Sequence, residues 1–257
     1  MIVAYTTIFG HSDHIKKAPR GFSRAVCFVD DPSRYPDARG WELVKHPVTN
    51  PRRDAWHLRC IPHLLFPSAT KTFWLDASFT LIDFERLMLD SSGHDISCLS
   101  HHVRHSCYEE GREIIKIGQA PADVVNRQLN GYHDEGFRPT SLTISCLWVR
   151  NNTPLVTAFN ERWDEEIKLN PGDNTQLSSD YSAWKVGVKI HHLQGEYRNN
   201  PYAHQNFMDH KLLRQPYDTD TQAQWCQACG KERARKPCSC GQYICRNCQS
   251  EHHHDAN

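Results

Sequence analysis

Phe73-Trp74-Leu75-Asp76-Ala77-Ser78 decides how this chain is read: an apolar run ends abruptly on a carboxylate and two small residues. The run predicts a buried strand over Thr72–Leu75. In an open α/β sheet, ligands bind beyond the carboxyl ends of the strands, so Asp76 stands where a metal ion or substrate would be held. The plainer alternative is a loop or helix-capping aspartate.

Outward from this stretch, Ile2–Ile8 is β-branched and aromatic-rich and stops at Phe9-Gly10, which predicts a strand and a turn. Ala25–Val29, Trp41–Val44, Ile96–Ser100, Leu142–Val149 and Val188–Leu193 predict further strands. Helical patterns lie between them at Asp54–Phe66 (interrupted at Pro62), Ile82–Leu89, Pro121–Tyr132, Pro154–Leu169 and Thr175–Trp184. Strands alternating with helices predict an α/β body with an open, mostly parallel sheet flanked by helices.

The chain has 257 residues, 39% of them hydrophobic, with 30 basic residues balancing 30 acidic ones. No apolar run approaches the ~20 residues needed to cross a bilayer, so no membrane partner is expected. Zero net charge excludes a globally basic nucleic-acid binder, although a local patch at Lys231–Lys236 stays open. Six of the 11 cysteines crowd into the tail and no secretory leader opens the chain, which predicts a reducing, cytoplasmic setting and a metal site rather than disulfides. The expected division is a body over 1–215, a polar linker over 216–224 and a zinc module over 225–257.

In that tail, Cys226-x2-Cys229, Cys238-x-Cys240 and Cys245-x2-Cys248 precede His252, His253 and His254. A C-x2-C pair places two thiolates on one knuckle, within reach of one Zn²⁺. The order resembles the cross-braced B-box and MYND modules. That resemblance implies one site of Cys226, Cys229, Cys245 and Cys248, and a second of Cys238 and Cys240 with two terminal histidines such as His252 and His254. The one-residue gap at Cys238-x-Cys240 leaves the number of zinc ions at one or two.

Several stretches of the body resemble GT-A-type glycosyltransferase-like proteins of plants, bacteria and phages. They are Ala4–Gly10, Phe28–Asp31, Ile61–Pro67, Phe73–Ser78, Cys107–Glu110, Asn160–Ile167 and Gln176–Ser178, and the likeness covers about residues 1–210. It implies a GT-A-like fold, a nucleotide-sugar donor (a UDP-sugar foremost) and Mn²⁺ or Mg²⁺ held against the diphosphate by Asp76 with His204 or His210. It also implies donor contacts from Thr6, Thr7, Asp31, Arg59, His63 and Ser78.

Two departures bear on catalysis. The acidic motif has Ser78 in its third position. Where the family has Arg-Asp-Gln-Leu-Ser, this chain has Asn174-Thr175-Gln176-Leu177-Ser178. Gln176 is thus kept, and the motif carboxylate falls to Asp173, to Asp180 or to neither. Glu109 and Glu110 are either acceptor-side carboxylates or a solvated pair. Acceptor alternatives are a hydroxymethylated pyrimidine in double-stranded phage DNA, which would put the protein in a host cytoplasm, or a glycan or protein. A non-enzymatic reading, a degenerate GT-A scaffold carrying a zinc-finger interaction module, competes with all of these.

Overall fold

The computed structural model describes residues 1–10, 14–170 and 174–205, together with the backbone of 224–225 and 233–234. In chain order the elements are β1 (Ile2–Ile8), β2 (Arg24–Val29), a 3-10 turn (Pro32–Arg34), β3 (Glu42–Lys45), α1 (Pro51–Cys60), α2 (Pro62–Leu65) and β4 (Lys71–Leu75). There follow β5 (Phe79–Leu81), α3 (Phe84–Asp90), β6 (Ile96–Ser100), α4 (Cys107–Lys116), α5 (Ala122–Asp134) and β7 (Thr143–Asn151). The body closes with α6 (Pro154–Leu169), α7 (Gln176–Val186), β8 (Ile190–Glu196) and β9 (Ala203–Gln205).

Seven strands make one sheet in the order β3-β2-β1-β4-β7-β6-β8. β7 pairs antiparallel with β4 and β6, and the other pairings are parallel. The apolar run that opened the sequence reading is explained by its place at the centre of this sheet. Trp74 joins the core on one face, with Tyr5, Trp148, Phe159 and Trp163, while its neighbours Phe73 and Leu75 join the core on the other, with Leu147, Val149 and Tyr202. A strand covered on both faces has no need of polar alternation. The mixed α/β architecture, a mostly parallel seven-stranded sheet flanked by helices, fits a GT-A-like fold.

Three local outcomes depart from the sequence reading. The helix expected over Asp54–Phe66 is two helices, α1 and α2, divided at Ile61 because Pro62 has no N–H to continue the ladder. Asn50 caps α1 through Oδ1, which accepts from the Arg53 N–H at 3.1 Å. α4 was unforeseen, and a Cβ at its mid-helix Gly111 would lie 2.3 Å from Leu129 Cδ1. The glycine lets α4 and α5 approach closely. Third, β5 and β9 pair antiparallel as a two-stranded ribbon, a contact between short segments far apart in the chain.

Contacts divide the chain into two units, Met1–Leu213 and Arg214–Asn257. Of the second, β10 (Gln224–Trp225) and β11 (Arg233–Ala234) pair antiparallel. Cys226, Cys229, Cys238, Cys240, Cys245, Cys248, His252 and His254 lie outside the described residues. Among the described residues no helix is long and apolar enough to cross a membrane.

Candidate functional site

β4 ends at Leu75, and the chain turns through Asp76–Phe79 into β5, with the Phe79 N–H bonded to the Asp76 carbonyl at 2.9 Å. The turn opens one wall of a cleft of about 220 Å³. Arg52, Trp56 and Arg59 of α1, spaced four and three residues apart and so on one helix face, supply a second wall. The remaining lining comes from Gln119, from Ile144, Ser145 and Cys146 of β7, from Asn174, Thr175 and Gln176 at the start of α7, and from Tyr197 and Gln205.

Arg59 organises the cleft. Its Nη2 donates to Asp76 Oδ1 at 3.0 Å and its Nη1 to Thr175 Oγ1 at 3.1 Å. The guanidinium carbon stands 4.7 Å from the Trp74 ring centroid, and the Trp74 Nε1–H donates to the same Asp76 oxygen at 2.8 Å. The Arg59 backbone is pinned as well: its carbonyl accepts from the Tyr5 hydroxyl at 2.9 Å and from Arg150 Nη2 at 2.7 Å.

Arg150 is 1% exposed, and its Nη1 donates to Asn160 Oδ1 at 2.7 Å. Burial pulls its pKa down and pushes the Tyr5 phenol up. A buried guanidinium bonded to neutral oxygens is costly unless they hold it tightly. Here it locks β1, β7, α1 and α6 around the backbone that aims Arg59.

The cleft therefore gathers Asp76, Arg59, Ser78 and Gln176 of the residues singled out in the sequence. Others lie elsewhere. Thr6 and Thr7 are buried in β1 at 2% and 9% exposure and do not line the cleft, and the Thr6 Oγ1 is buried without a partner. Asp31 caps the 3-10 turn, accepting from the Ser33 N–H and hydroxyl at 3.0 and 2.7 Å, bonds that lower its pKa. His63 faces α6, with Nε2 3.9 Å from a Glu161 oxygen, and desolvation lowers its pKa.

Asp180 ties α7 to the first residue of β7, accepting from the Thr143 N–H at 2.9 Å and the Thr143 hydroxyl at 2.5 Å. Desolvation outweighs those bonds and pushes its pKa up to about 6. His204 is exposed and sits opposite Thr80 in the β5–β9 ladder, whereas Gln205 sits opposite Phe79. Successive residues of a strand point to opposite faces, so the cleft receives Phe79 and Gln205 and not His204. Asp173 and His210 lie outside the described residues.

Glu110 is not a solvated carboxylate. It is 5% exposed, bonded to Arg104 and, at 2.9 Å, to the Asn174 amide, and so braces the loop that enters α7. Glu109 accepts from the His105 N–H at 2.7 Å. The sequence reading missed Arg52, Trp56, Tyr197 and Gln205. The spacing of Arg52, Trp56 and Arg59 carried a signal for one helix face; Tyr197 and Gln205 carried none, because a turn places the first and the long-range pairing of β9 with β5 the second.

Among the lining residues two arginines face one carboxylate, so the cleft is net cationic and suits an anionic ligand. Asp76 Oδ1 is already engaged by a guanidinium and an indole N–H. Among the described residues no three His, Cys, Asp or Glu side chains come together as metal ligands.

No curated protein matches the chain closely enough to count as a relative. A family model described as TOD1/MUCI70, glycosyltransferase-like domain, matches residues 40–201, well over half of the 257-residue chain and every cleft residue but Gln205. The chain belongs to this glycosyltransferase-like family.

Proposed function

We propose that the protein transfers a sugar from a nucleotide-sugar donor, a UDP-sugar foremost, to an acceptor hydroxyl, with the donor phosphates in the cleft between α1 and the β4–β5 turn. The observation that carries this reading is the Arg59–Asp76 pair at the carboxyl end of β4 in a net cationic cleft within a glycosyltransferase-like domain. Arg59, with Arg52 beside it, would bind the diphosphate and neutralise the charge that builds on it as the glycosidic bond breaks. Asp76 and the Trp74 ring hold the Arg59 fork, so little reorganisation is needed when donor enters.

Mn²⁺ or Mg²⁺ would enter through Asp76, which offers one carboxylate of the hard oxygen type such cations take. Zn²⁺ would be taken by the tail thiolates, whose soft sulfur it prefers to the carboxylate of the cleft. The acceptors that follow from the resemblance are hydroxymethylated pyrimidines in double-stranded DNA, and glycans or proteins. A scaffold that binds sugar nucleotide without transferring it is the second reading. It is favoured by Asp76 being the one carboxylate among the described lining residues and already ion-paired.

The test is a turnover assay of the full chain with UDP-sugars, with and without Mn²⁺, and with hydroxymethylated DNA and simple glycans as parallel acceptors. Products are read by mass spectrometry. Transfer by the wild type and a loss of about 100-fold or more in Asp76→Ala and Arg59→Ala are expected. Donor binding without turnover on any acceptor would favour the scaffold, and absence of both binding and turnover would overturn the reading.

A further inference from the structure

We propose that the carboxamides of Gln176 and Gln205 are the sugar-reading pair of this cleft, Gln176 donating to and Gln205 accepting from hydroxyls of a single sugar ring. The inference rests on the nucleotide-sugar reading above and names the subsite within it.

Both side chains line the cleft, and in each one polar atom is buried without a partner among the described residues: Nε2 of Gln176 and Oε1 of Gln205. Leaving such an atom unpaired costs on the order of 1–3 kcal/mol, so a fold that keeps two such carboxamide atoms in one cleft, beside the likewise unpartnered Arg59 Nε, is completed by something that pairs them. One atom is a donor and the other an acceptor. A hydroxyl is both at once, whereas a phosphate oxygen could satisfy only the donor.

The two come from different elements. Gln176 is the first residue of α7, and its backbone N–H is fixed by Asn174 Oδ1 at 2.8 Å, while the Asn174 amide is in turn held by Glu110. Gln205 ends β9 and is held in register against the buried Phe79. Each carboxamide thus sits on an anchored backbone, the preorganisation a specificity contact requires.

Charge and size point the same way. The charged lining groups are Arg52, Arg59 and Asp76, and the groups supplied by α7 and β9 are neutral. At about 220 Å³ the cleft falls below the roughly 300–1,000 Å³ typical of pockets for whole drug-sized ligands, so it encloses a sugar and adjoining phosphate rather than an entire sugar nucleotide.

Calorimetric titration of the full chain with UDP, UDP-glucose and UDP-galactose tests this, using wild type, Gln176→Met and Gln205→Met. Methionine keeps the side-chain length and removes the hydrogen bond. The wild type is expected to bind one of the UDP-sugars more tightly than UDP. Each variant should lose about tenfold in affinity for that sugar nucleotide, the worth of one such hydrogen bond, while its affinity for UDP stays unchanged. Unchanged UDP affinity also shows that the variants are folded.

Variants that bind the UDP-sugar as wild type does, or that lose UDP and UDP-sugar affinity equally, overturn the assignment. So does a wild type that binds UDP but neither sugar nucleotide more tightly. Those three results leave the donor reading standing; a wild type that binds none of the three ligands brings down both.

Discussion

Arg59 draws its meaning from residues far away in sequence. Its guanidinium reaches Asp76 and Thr175 while Arg150 and Tyr5 grip its carbonyl from β7 and β1. Replacing Arg150 by Met would leave the Arg59 carbonyl and Asn160 Oδ1 without that donor inside the core. A loss of roughly 2–4 kcal/mol in unfolding free energy is expected, measured by urea denaturation. A midpoint unchanged from wild type would show that the buried guanidinium is dispensable.

Asp180 makes a second residue-level prediction. Its folded pKa of about 6 lies above the usual aspartate value of about 4. Between those values the folded protein keeps a proton that the unfolded chain has released, so this group's stabilising effect is full below about pH 4 and declines as pH rises to about 6. Asp180→Asn cannot ionise. Its melting temperature relative to wild type should therefore climb across that window and then level off, and a constant offset across pH would contradict the assignment. The resemblance left Asp180 as one place for the motif carboxylate; in the structure it fastens a helix to a strand.

At the scale of elements, the turn after β8 carries Tyr197 to the cleft, and Gly195, next to last in β8, leads the chain into it. Its φ is +86°, and a Cβ would stand 2.5 Å from the Asn199 carbonyl oxygen and 3.0 Å from Asn200 Cα, backbone atoms that cannot step aside. Gly136, at φ +88°, has nothing within 4 Å of the same position. Thermal melts should separate the two strains. Gly136→Ala is expected to cost about 1 kcal/mol for the left-handed backbone alone, and Gly195→Ala about 2 kcal/mol or more, with weaker donor binding as Tyr197 shifts. Equal costs would mean that the turn adjusts freely. Helix boundaries followed local chemistry closely at α6, where Thr153 caps and Pro154 opens the first turn, and failed at α4, where Gly111 serves a neighbouring helix rather than its own.

At the scale of the whole molecule the sequence separates five scattered cysteines from six clustered in the tail. Cys27, Cys60, Cys98, Cys107 and Cys146 are free thiols buried in the body, and desolvation pushes all of them up, Cys27 and Cys107 to about 12. Such thiols are inert at neutral pH. The six tail cysteines are expected to be shielded by Zn²⁺. A thiol-reactive dye should therefore label almost nothing in the native protein, six thiols after chelation and the remaining five only on denaturation. Six thiols reacting before chelation would refute the zinc assignment.

The sequence by itself determined what depends on neighbours along the chain: the strand–helix alternation, the ends of β1, β6 and α6, and Asp76 beyond the buried run Phe73-Trp74-Leu75. Periodicity, caps and breakers are local effects, so they are written locally. Tertiary structure decided the antiparallel course of β7, the Arg59–Asp76 pair, the burial of Arg150 and Glu110, and the choice of Gln205 over His204 at the cleft. Those outcomes turn on contacts between segments far apart in the chain, and the choice of Gln205 over His204 turns on which face of a strand meets the cleft, which a shift of one residue in register would reverse.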